Sequence, residues 1–567
     1  YGLPSVWFMN GLHCRTVSAD CPYDVVGVSF PGAPAVILGH NARIAWGATN
    51  VGPDTEDLFR ETVDPKDSTH YLYKGQSLPF ETRTETIHVA GAADVTLTVR
   101  STVHGSILSD VDPRLKDQPP LALEWTTTKE VDGALGTFFR IDAAGSFAEF
   151  KAAFDTYGSP SQNFVYADVD GHIGYVLPGL IPIRANGGSC LPDRRCAATA
   201  PRAAVPTTGD RVRDGASGTF DWTGYIPRDQ LPWQLDPPSG IIASANNAAV
   251  DASYPYFLGD DWDPGYRAAR IVQLLQQKPT GLTVADMGAI QTDTHVGRAD
   301  SIVPKIAALR PAGLAPATTD GRLLLDRILA WDGTCGTDSL GCAAYMTAEL
   351  EIERTIVDGR LGLGIARDYV GTPYAWQSLA WLLDHASNAW WDDPGTAGKE
   401  TAAQRISAAL DRAGGELRAA YGDSATWTWG RMHTVTFRED TLGSSGIGVL
   451  EWYFDASTIP VAGASGAVDN TYYQERRAYP DPADPTYVPV GIDHVFDITN
   501  GPSYRLAVDM ADLDGARIVI TTGQSGNPLD RHYADLIPKW ASGATVPLPF
   551  SRSAIDGSTV ARLTLSP

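Results

Sequence analysis

Residues 39–59 read GHNARIAWGATNVGPDTEDLF. They close an apolar run, Ala35-Val36-Ile37-Leu38, and continue into Ile44-Ala45-Trp46-Gly47-Ala48-Thr49. The second of these predicts a buried strand. Asn50-Val51-Gly52-Pro53 is a turn signal. Asp54, Glu56 and Asp57 then put three carboxylates within four residues. A strand ending this way carries backbone N–H groups and an acidic cluster to one edge, where an anion can be stabilised beside a hard cation. The plainer reading is a core strand followed by a solvated acidic turn, and the pattern alone leaves both open.

Outward from this stretch the chain reads as strands, then helices, then strands again. Residues 84–90 and 95–103 alternate at period two around Gly91-Ala92-Ala93-Asp94, which predicts a hairpin. Residues 162–176 predict strand–turn–strand with Asp170-Gly171 at the turn. Phe147, Phe150 and Phe154 stand at helical spacing and predict packed core. Residues 181–236, rich in Pro, Gly, Arg and Asp, predict an irregular excursion over the surface. Residues 241–245 predict a strand ending in Asn246-Asn247. Asn is a poor strand residue, so the pair is either a functional strand end or an ordinary turn. Residues 280–425 predict a mainly helical part, with helices over 320–331, 343–357, 374–385 and 399–421 and a Thr283–Asp286 capping box. Strand patterns return after His433, with a short terminal hairpin beyond Trp540. A length of 567 residues suits one large interwoven domain or several smaller ones.

The formal charge of −23 argues against nucleic acid and against an anionic membrane surface as partners. No apolar run is long enough to span a bilayer and no signal-peptide pattern opens the chain, so a mature, processed chain is expected. The six cysteines form three close pairs, Cys14/Cys21, Cys190/Cys196 and Cys335/Cys342. Three local disulfides and a secreted or periplasmic location are expected, with unpaired thiols as the alternative. There is no H-E-x-x-H, G-x-S-x-G, Walker loop or G-x-G-x-x-G, and the 11 histidines are scattered. No organic cofactor is expected. Hydrolysis by such a chain needs a nucleophile of another kind, and an N-terminal hydroxyl fits. Its own α-amine, with a free pKa of about 7.7–8.0, takes the proton.

The motif GHN-x-x-I-A-W-G-x-T-N followed by D-x-E-D-L-F resembles the catalytic chain of the penicillin acylase family. The resemblance extends through T-V-H-G at 102–105, the 162–176 pair and F-D-W-T-G-Y-I-P at 220–227, along nearly the whole chain. It implies an α+β fold: the four-layer αββα sandwich of N-terminal-nucleophile hydrolases, with a large helical insertion, residues 1–567 forming one catalytic β chain. It implies an acylase that removes the acyl side chain of a penicillin, N-acyl homoserine lactone or lipopeptide. Tyr1 falls after the family's opening strands, and a phenol lacks the reach of a serine hydroxyl. The nucleophile is therefore expected upstream of Tyr1, or the chemistry has been lost. A smaller chain from the same precursor is the implied partner.

By the same resemblance, the Asn50 backbone N–H and the Asn246 amide are the oxyanion donors. Arg267 positions the nucleophile and its amine, with a salt bridge to Asp260 or Asp261 as the alternative. Asp54 and Asp57 supply carboxylates, and Glu56 and Pro201 carbonyls, to a structural Ca²⁺. Leu38, Val51, Phe138 and Gln162 line the acyl pocket, with ordinary core packing as the alternative for the first three. Two readings from other classes stand beside this one. The 15 tryptophans and the acidic balance suit a carbohydrate-binding protein or glycosidase, although no carboxylate pair stands out for glycoside cleavage. A catalytically dead paralogue used for binding is the other.

Overall fold

Phe8–His13 (β1), Asp24–Ser29 (β2) and Leu38–Asn41 (β3) are antiparallel neighbours in the order β1-β2-β3. Val25, Val26 and Val28 of β2 are all buried, as the continuous apolar run requires. Gly27 and Gly39 face each other across β2 and β3. A Cβ on Gly27 would fall 2.1 Å from the Leu38 carbonyl oxygen, so the two strands can approach only through glycine.

The computed structural model describes residues 2–115, 117–129, 133–185, 212–251 and 253–565. It comprises two units, Tyr1–Ala42 with Asp263–Pro567, and Arg43–Trp262. Cys190, Cys196 and Pro201 lie outside the described residues.

The Arg43–Trp262 unit holds two larger sheets and two smaller ones. In the first, Ile44–Asn50 (β4) pairs antiparallel with a later strand, Gln162–Asp168, and Gln162 stands opposite Asn50. Glu56–Arg60 (β5) opens the second sheet. The hairpin expected over 84–103 forms there as Glu81–Ile87 (β6) and Val95–Thr102 (β7), with Gly91 at φ +76° in its turn. Gly105–Ile107 (β8) and Leu121–Trp125 (β9) complete the antiparallel run β6-β7-β8-β9-β5. Phe59, Tyr71, Phe80, Ile107 and Ala122 form its core. His104 is buried in the turn that joins β7 to β8, stacked 3.9 Å from Phe59, with Glu61 at 2.8 Å from Nδ1 and Asp221 at 3.2 Å from Nε2. Two carboxylates on the two ring nitrogens require both to carry protons. Burial pushes the imidazole down, but these carboxylates outweigh it and hold its pKa above the ordinary value.

Ala134–Ala143 (α1) and Phe147–Ala153 (α2) follow, Ser146 capping α2 through the Glu149 N–H. Phe150 and Phe154 are buried against Tyr166 and Phe164, at centroid distances of 5.2 and 4.6 Å, so these aromatics are core. Gln162–Asp168 (β10) and Ile173–Val176 (β11) form the expected strand pair, with Gly171 at φ +93° in the turn.

Both described ends of the 181–236 stretch depart from a surface excursion. Pro182–Arg184 (β12), Arg213–Asp214 (β13), Trp222–Tyr225 (β14) and Trp233–Leu235 (β15) are strands, and Ile181, Arg184, Arg213, Ile226 and Leu231 are buried. Within this unit β15-β11-β10-β4 are successive neighbours, β13 runs parallel to β5, and β12 pairs with β14. Residues 241–245 form no regular strand. Side-chain hydrogen bonds rather than a ladder secure them, as described below.

In the other unit, residues 280–425 are mainly helical. Tyr266–Gln277 (α3) precedes Val284–Gln291 (α4), which carries the Thr283–Asp286 capping box. Ala299–Ala308 (α5), Thr319–Ala330 (α6), Leu340–Val357 (α7), Leu363–Tyr369 (α8), Pro373–Asp384 (α9) and Ala402–Tyr421 (α10) follow. Hydroxyls of Thr318, Ser339, Thr372 and Thr401 cap α6, α7, α9 and α10, which fixes their starts. Thr401 therefore starts the last helix at Ala402, later than periodicity suggests. α7 is buried along nearly its whole length. Its Glu349 is matched by the buried Arg298, whose Nη2 lies 2.7 Å from Oε2.

Tyr504–Asp509 (β16), Asp512–Ile520 (β17) and Val546–Pro547 (β18) form a three-stranded antiparallel sheet. The terminal hairpin is absent among the described residues. β18 pairs with β17, and Ser551 caps a last helix, Arg552–Ser558. Cys14–Cys21 and Cys335–Cys342 are disulfides closed over short loops. No helix among the described residues is long and apolar enough to cross a membrane.

Candidate active site

β4 runs out at Asn50, where the Gly-Pro turn ends the strand. Asn246 meets this end. Its backbone lies in the left-handed region, at φ +66°, a conformation Asn tolerates better than most residues. Its Nδ2 donates to the Asn50 carbonyl oxygen at 2.8 Å. One residue before Asn50 and two before Asn246, the hydroxyls of Thr49 and Ser244 are 2.7 Å apart. Residues 244–246 are thus tied to β4 by side chains. Asn247 plays a different part: its Oδ1 accepts from the Ala245 N–H at 3.1 Å and its Nδ2 donates to the Ala248 carbonyl at 3.2 Å, which holds the turn.

The sequence did not single out Asn163. It is buried on β10, and its Nδ2 donates to the Asn50 carbonyl at 3.1 Å and to the Thr49 hydroxyl at 3.2 Å. The Tyr175 hydroxyl donates to its Oδ1. The Asn50 carbonyl therefore accepts from two side-chain amides, which uses both its lone pairs and fixes the backbone where β4 ends. The signal was present: an Asn inside the strand pattern QNFVYAD is as anomalous as the Asn246-Asn247 pair.

The acidic cluster is held by arginines. Asp57 is buried on β5. Its Oδ1 accepts from Arg213 Nε at 2.7 Å, and its Oδ2 from Arg184 Nε at 2.8 Å and Trp222 Nε1 at 2.6 Å. Arg184 Nη2 also lies 3.0 Å from Asp54 Oδ1 and donates to the Asp54 carbonyl at 3.1 Å. Burial pushes the Asp54 carboxyl up to about 6, with Arg184 opposing and Asp57 adding to the shift. The Asp54 N–H donates to the Leu258 carbonyl at 2.7 Å. The Glu56 side chain is exposed, and its backbone lies opposite Trp125 of β9.

The penicillin amidase family model matches residues 1–557. The chain belongs to the penicillin amidase family. It is 29% identical over 615 residues to an acyl-homoserine lactone acylase, QuiP, of Pseudomonas aeruginosa, covering 100% of this chain and 65% of that protein. It is 26% identical over 566 residues to the penicillin acylase 2 proenzyme of Pseudomonas sp. strain SE83, covering 99% of this chain and 66% of that one. A penicillin G acylase of Escherichia coli is 31% identical over 339 residues, covering 58% of this chain and 36% of its own. The chain thus spans 65% and 66% of the first two relatives. The structure is similar to thermostable penicillin G acylase from Alcaligenes faecalis, with a TM-score of 0.67 at 20% identity, covering 100% of this chain and 96% of that one. That likeness establishes a shared mixed α/β fold.

For this penicillin amidase family member, the structure joins Asn50, Asn246 and Gln162 at one strand end and adds Asn163. It does not give Val51 a pocket-lining place: Val51 is buried among Leu177, Ile181, Ile226, Leu231 and Leu258, an apolar core. Phe138 is half-buried on α1, its ring 6.4 and 6.5 Å from those of Tyr157 and Phe164. Leu38 is buried on β3 opposite Val28. Arg267, in the first turn of α3, pairs with Asp263 at 2.8 Å. Its spacing of four residues from Asp263 suits a helix-start ion pair.

Among the described residues, which do not include Pro201, the cluster at Asp54 and Asp57 does not fit calcium. Ca²⁺ takes six to eight oxygens from carboxylates, carbonyls and water. Here the two charges of Asp54 and Asp57 are balanced by those of Arg184 and Arg213, and both Asp57 oxygens accept hydrogen bonds. Among the described residues no group of three or more His, Cys, Asp or Glu is arranged to hold a metal ion.

Proposed function

We propose that this chain is the catalytic chain of an amide hydrolase that removes the acyl side chain of a small-molecule amide. A penicillin, an N-acyl homoserine lactone or a lipopeptide is its substrate. The observation that carries this reading is the meeting of Asn50 and Asn246, within a chain of the penicillin amidase family. A serine N-terminal to Tyr1 is the nucleophile, and a smaller chain from the same precursor completes the enzyme. The fold is the four-layer αββα sandwich and the location secreted or periplasmic, in keeping with two disulfides.

The chemistry follows from the groups. The serine hydroxyl attacks the amide carbon while its α-amine takes the proton. The carbonyl oxygen becomes an oxyanion, to which the Asn50 backbone N–H and the Asn246 amide donate. Each such donor is worth roughly 2.7–4 kcal/mol of barrier. Collapse passes the proton to the leaving amine, and water then releases the acyl group by the same steps in reverse. The hydrogen bonds of Asn163 and Asn246 to the Asn50 carbonyl set the donors in advance, so little reorganisation is needed as charge develops. Gln162, opposite Asn50, faces the acyl group, and Arg267 orients the nucleophile.

The test is mass spectrometry of the mature N-terminus together with hydrolysis of chromogenic acyl amides of graded chain length. A leading serine, labelled by a sulfonyl fluoride with loss of activity, is expected. Amide hydrolysis by a mature protein whose first residue is Tyr1 would overturn the mechanism.

A further inference from the structure

We infer that Arg184 and Arg213 are a built-in cation pair that takes the place of a structural calcium ion at Asp54 and Asp57, holding the chain between Asn50 and β5 without metal. The geometry is that of a dedicated site. Arg184, Arg213 and Asp57 are all buried, at 4%, 4% and 2% exposure. Buried guanidinium groups persist only where matched charge and hydrogen bonds replace water. Each here has such a match: Arg213 on Asp57 Oδ1, and Arg184 on Asp57 Oδ2 and on the side chain and carbonyl of Asp54. Trp222 Nε1 adds a third donor to Asp57, and its ring lies 6.0 Å from the Arg184 guanidinium.

The clamp draws on four separate pieces of chain. Asp57 comes from β5, Arg184 from β12, Arg213 from β13 and Trp222 from β14. Gathering remote segments around a few carboxylates is the work a structural divalent cation does. Two tethered monovalent cations do it here with the same total charge. A calcium ion added to this cluster would meet two guanidinium groups of like sign and two Asp57 oxygens already engaged, with the Oδ2 of Asp54 the one carboxylate oxygen of the pair left without a hydrogen bond among the described residues. Asn50 lies four residues before Asp54, so the clamp anchors the far side of the turn that ends the oxyanion strand. Arg184 and Arg213 are thus positioning residues.

The experiment uses the mature protein in chelator and in millimolar calcium. Thermal melts should coincide within about 1 °C, because a ligand that does not bind cannot shift the midpoint. Native mass spectrometry after chelation and exchange should find no calcium retained. A rise of several degrees in calcium that Asp57→Asn abolishes, or one retained calcium lost in that variant, would overturn the inference. A calcium effect that survives Asp57→Asn belongs to another site and leaves the clamp metal-independent. In chelator, Arg213→Gln and Asp57→Asn should each lower the midpoint, and the double variant should fall by less than their sum. Strict additivity would overturn the clamp. If these variants do not fold, coincident melts and no retained calcium in the unaltered protein support the inference, and one calcium located at Asp54 and Asp57 by anomalous diffraction overturns it.

Discussion

The side-chain amide of Asn246 stands 2.8 Å from the carbonyl oxygen of Asn50, across 196 residues of chain. It holds this place from a left-handed backbone, and neighbouring Asn247 secures the turn through Ala245 and Ala248. The two asparagines therefore separate by role. Asn246→Ala should lower kcat and kcat/KM together by on the order of 10²–10³, as for a donor used in the transition state, and should also lower the melting temperature, because it cuts the tie to Asn50 and puts Ala at φ +66°. Asn247→Ala should lower the melting temperature and leave most of kcat. Steady-state kinetics on one chromogenic amide, with melts alongside, checks both. A near-normal kcat in Asn246→Ala would remove this residue from the chemistry.

Asn163 should matter through Asn50. Asn163→Ala takes the partner of the half-buried Tyr175 hydroxyl and one of the two donors to the Asn50 carbonyl, which keeps Asn246, and should cost at most about 1–3 kcal/mol. Asn163→Asp keeps the acceptor for Tyr175 but loses the donor to Asn50. It should recover part of the stability and little of kcat, with KM scarcely changed. Equal recovery of both would mean that Asn163 serves packing alone.

His104 makes the six-stranded sheet of the Arg43–Trp262 unit sensitive to alkali. Its pKa is held above the ordinary value of 6.5 by Glu61 and Asp221, against the opposing effect of burial. Its contribution to stability is therefore complete below about pH 6.5 and is lost as pH rises through the raised value. Melts between pH 6 and pH 9 should show a decline that His104→Gln flattens. A parallel decline in both proteins would assign it to another group.

The two disulfides should differ in reactivity. Cys335 and Cys342 are fully buried at the start of α7, whereas Cys21 is exposed. Thiolate exchange needs access to sulfur. Mild reductant should therefore open Cys14–Cys21 first, with Cys335–Cys342 following only on unfolding. Timed alkylation and peptide mapping measures the order, and simultaneous opening would contradict it.

Much of this molecule was legible in local spacing. The hairpin around Gly91, the strand pair around Gly171 and the Thr283 capping box each follow from neighbours within a few residues, where turn and cap chemistry acts. The strand expected at 241–245 failed because a strand needs a partner ladder, and these residues are held by Ser244 and Asn246 side chains instead. At its two described ends the surface reading of 181–236 departs from the structure for a related reason. Arg184 and Arg213 look like surface residues until Asp57 is seen beside them.

The sequence by itself determined the strand that ends at Asn50, the acidic run behind it, the helical part and the family, because these depend on short-range pattern and motif. Only the tertiary structure decided what those carboxylates face. Asp57 meets Arg184 and Arg213 over separations of 127 and 156 residues, and Asn163 reaches Asn50 over 113. Electrostatic and hydrogen-bond energies depend on distances in space of a few ångströms. Chain spacing says nothing of those distances until the strands have paired, so the same three carboxylates read equally well as a metal site or as one half of an arginine clamp.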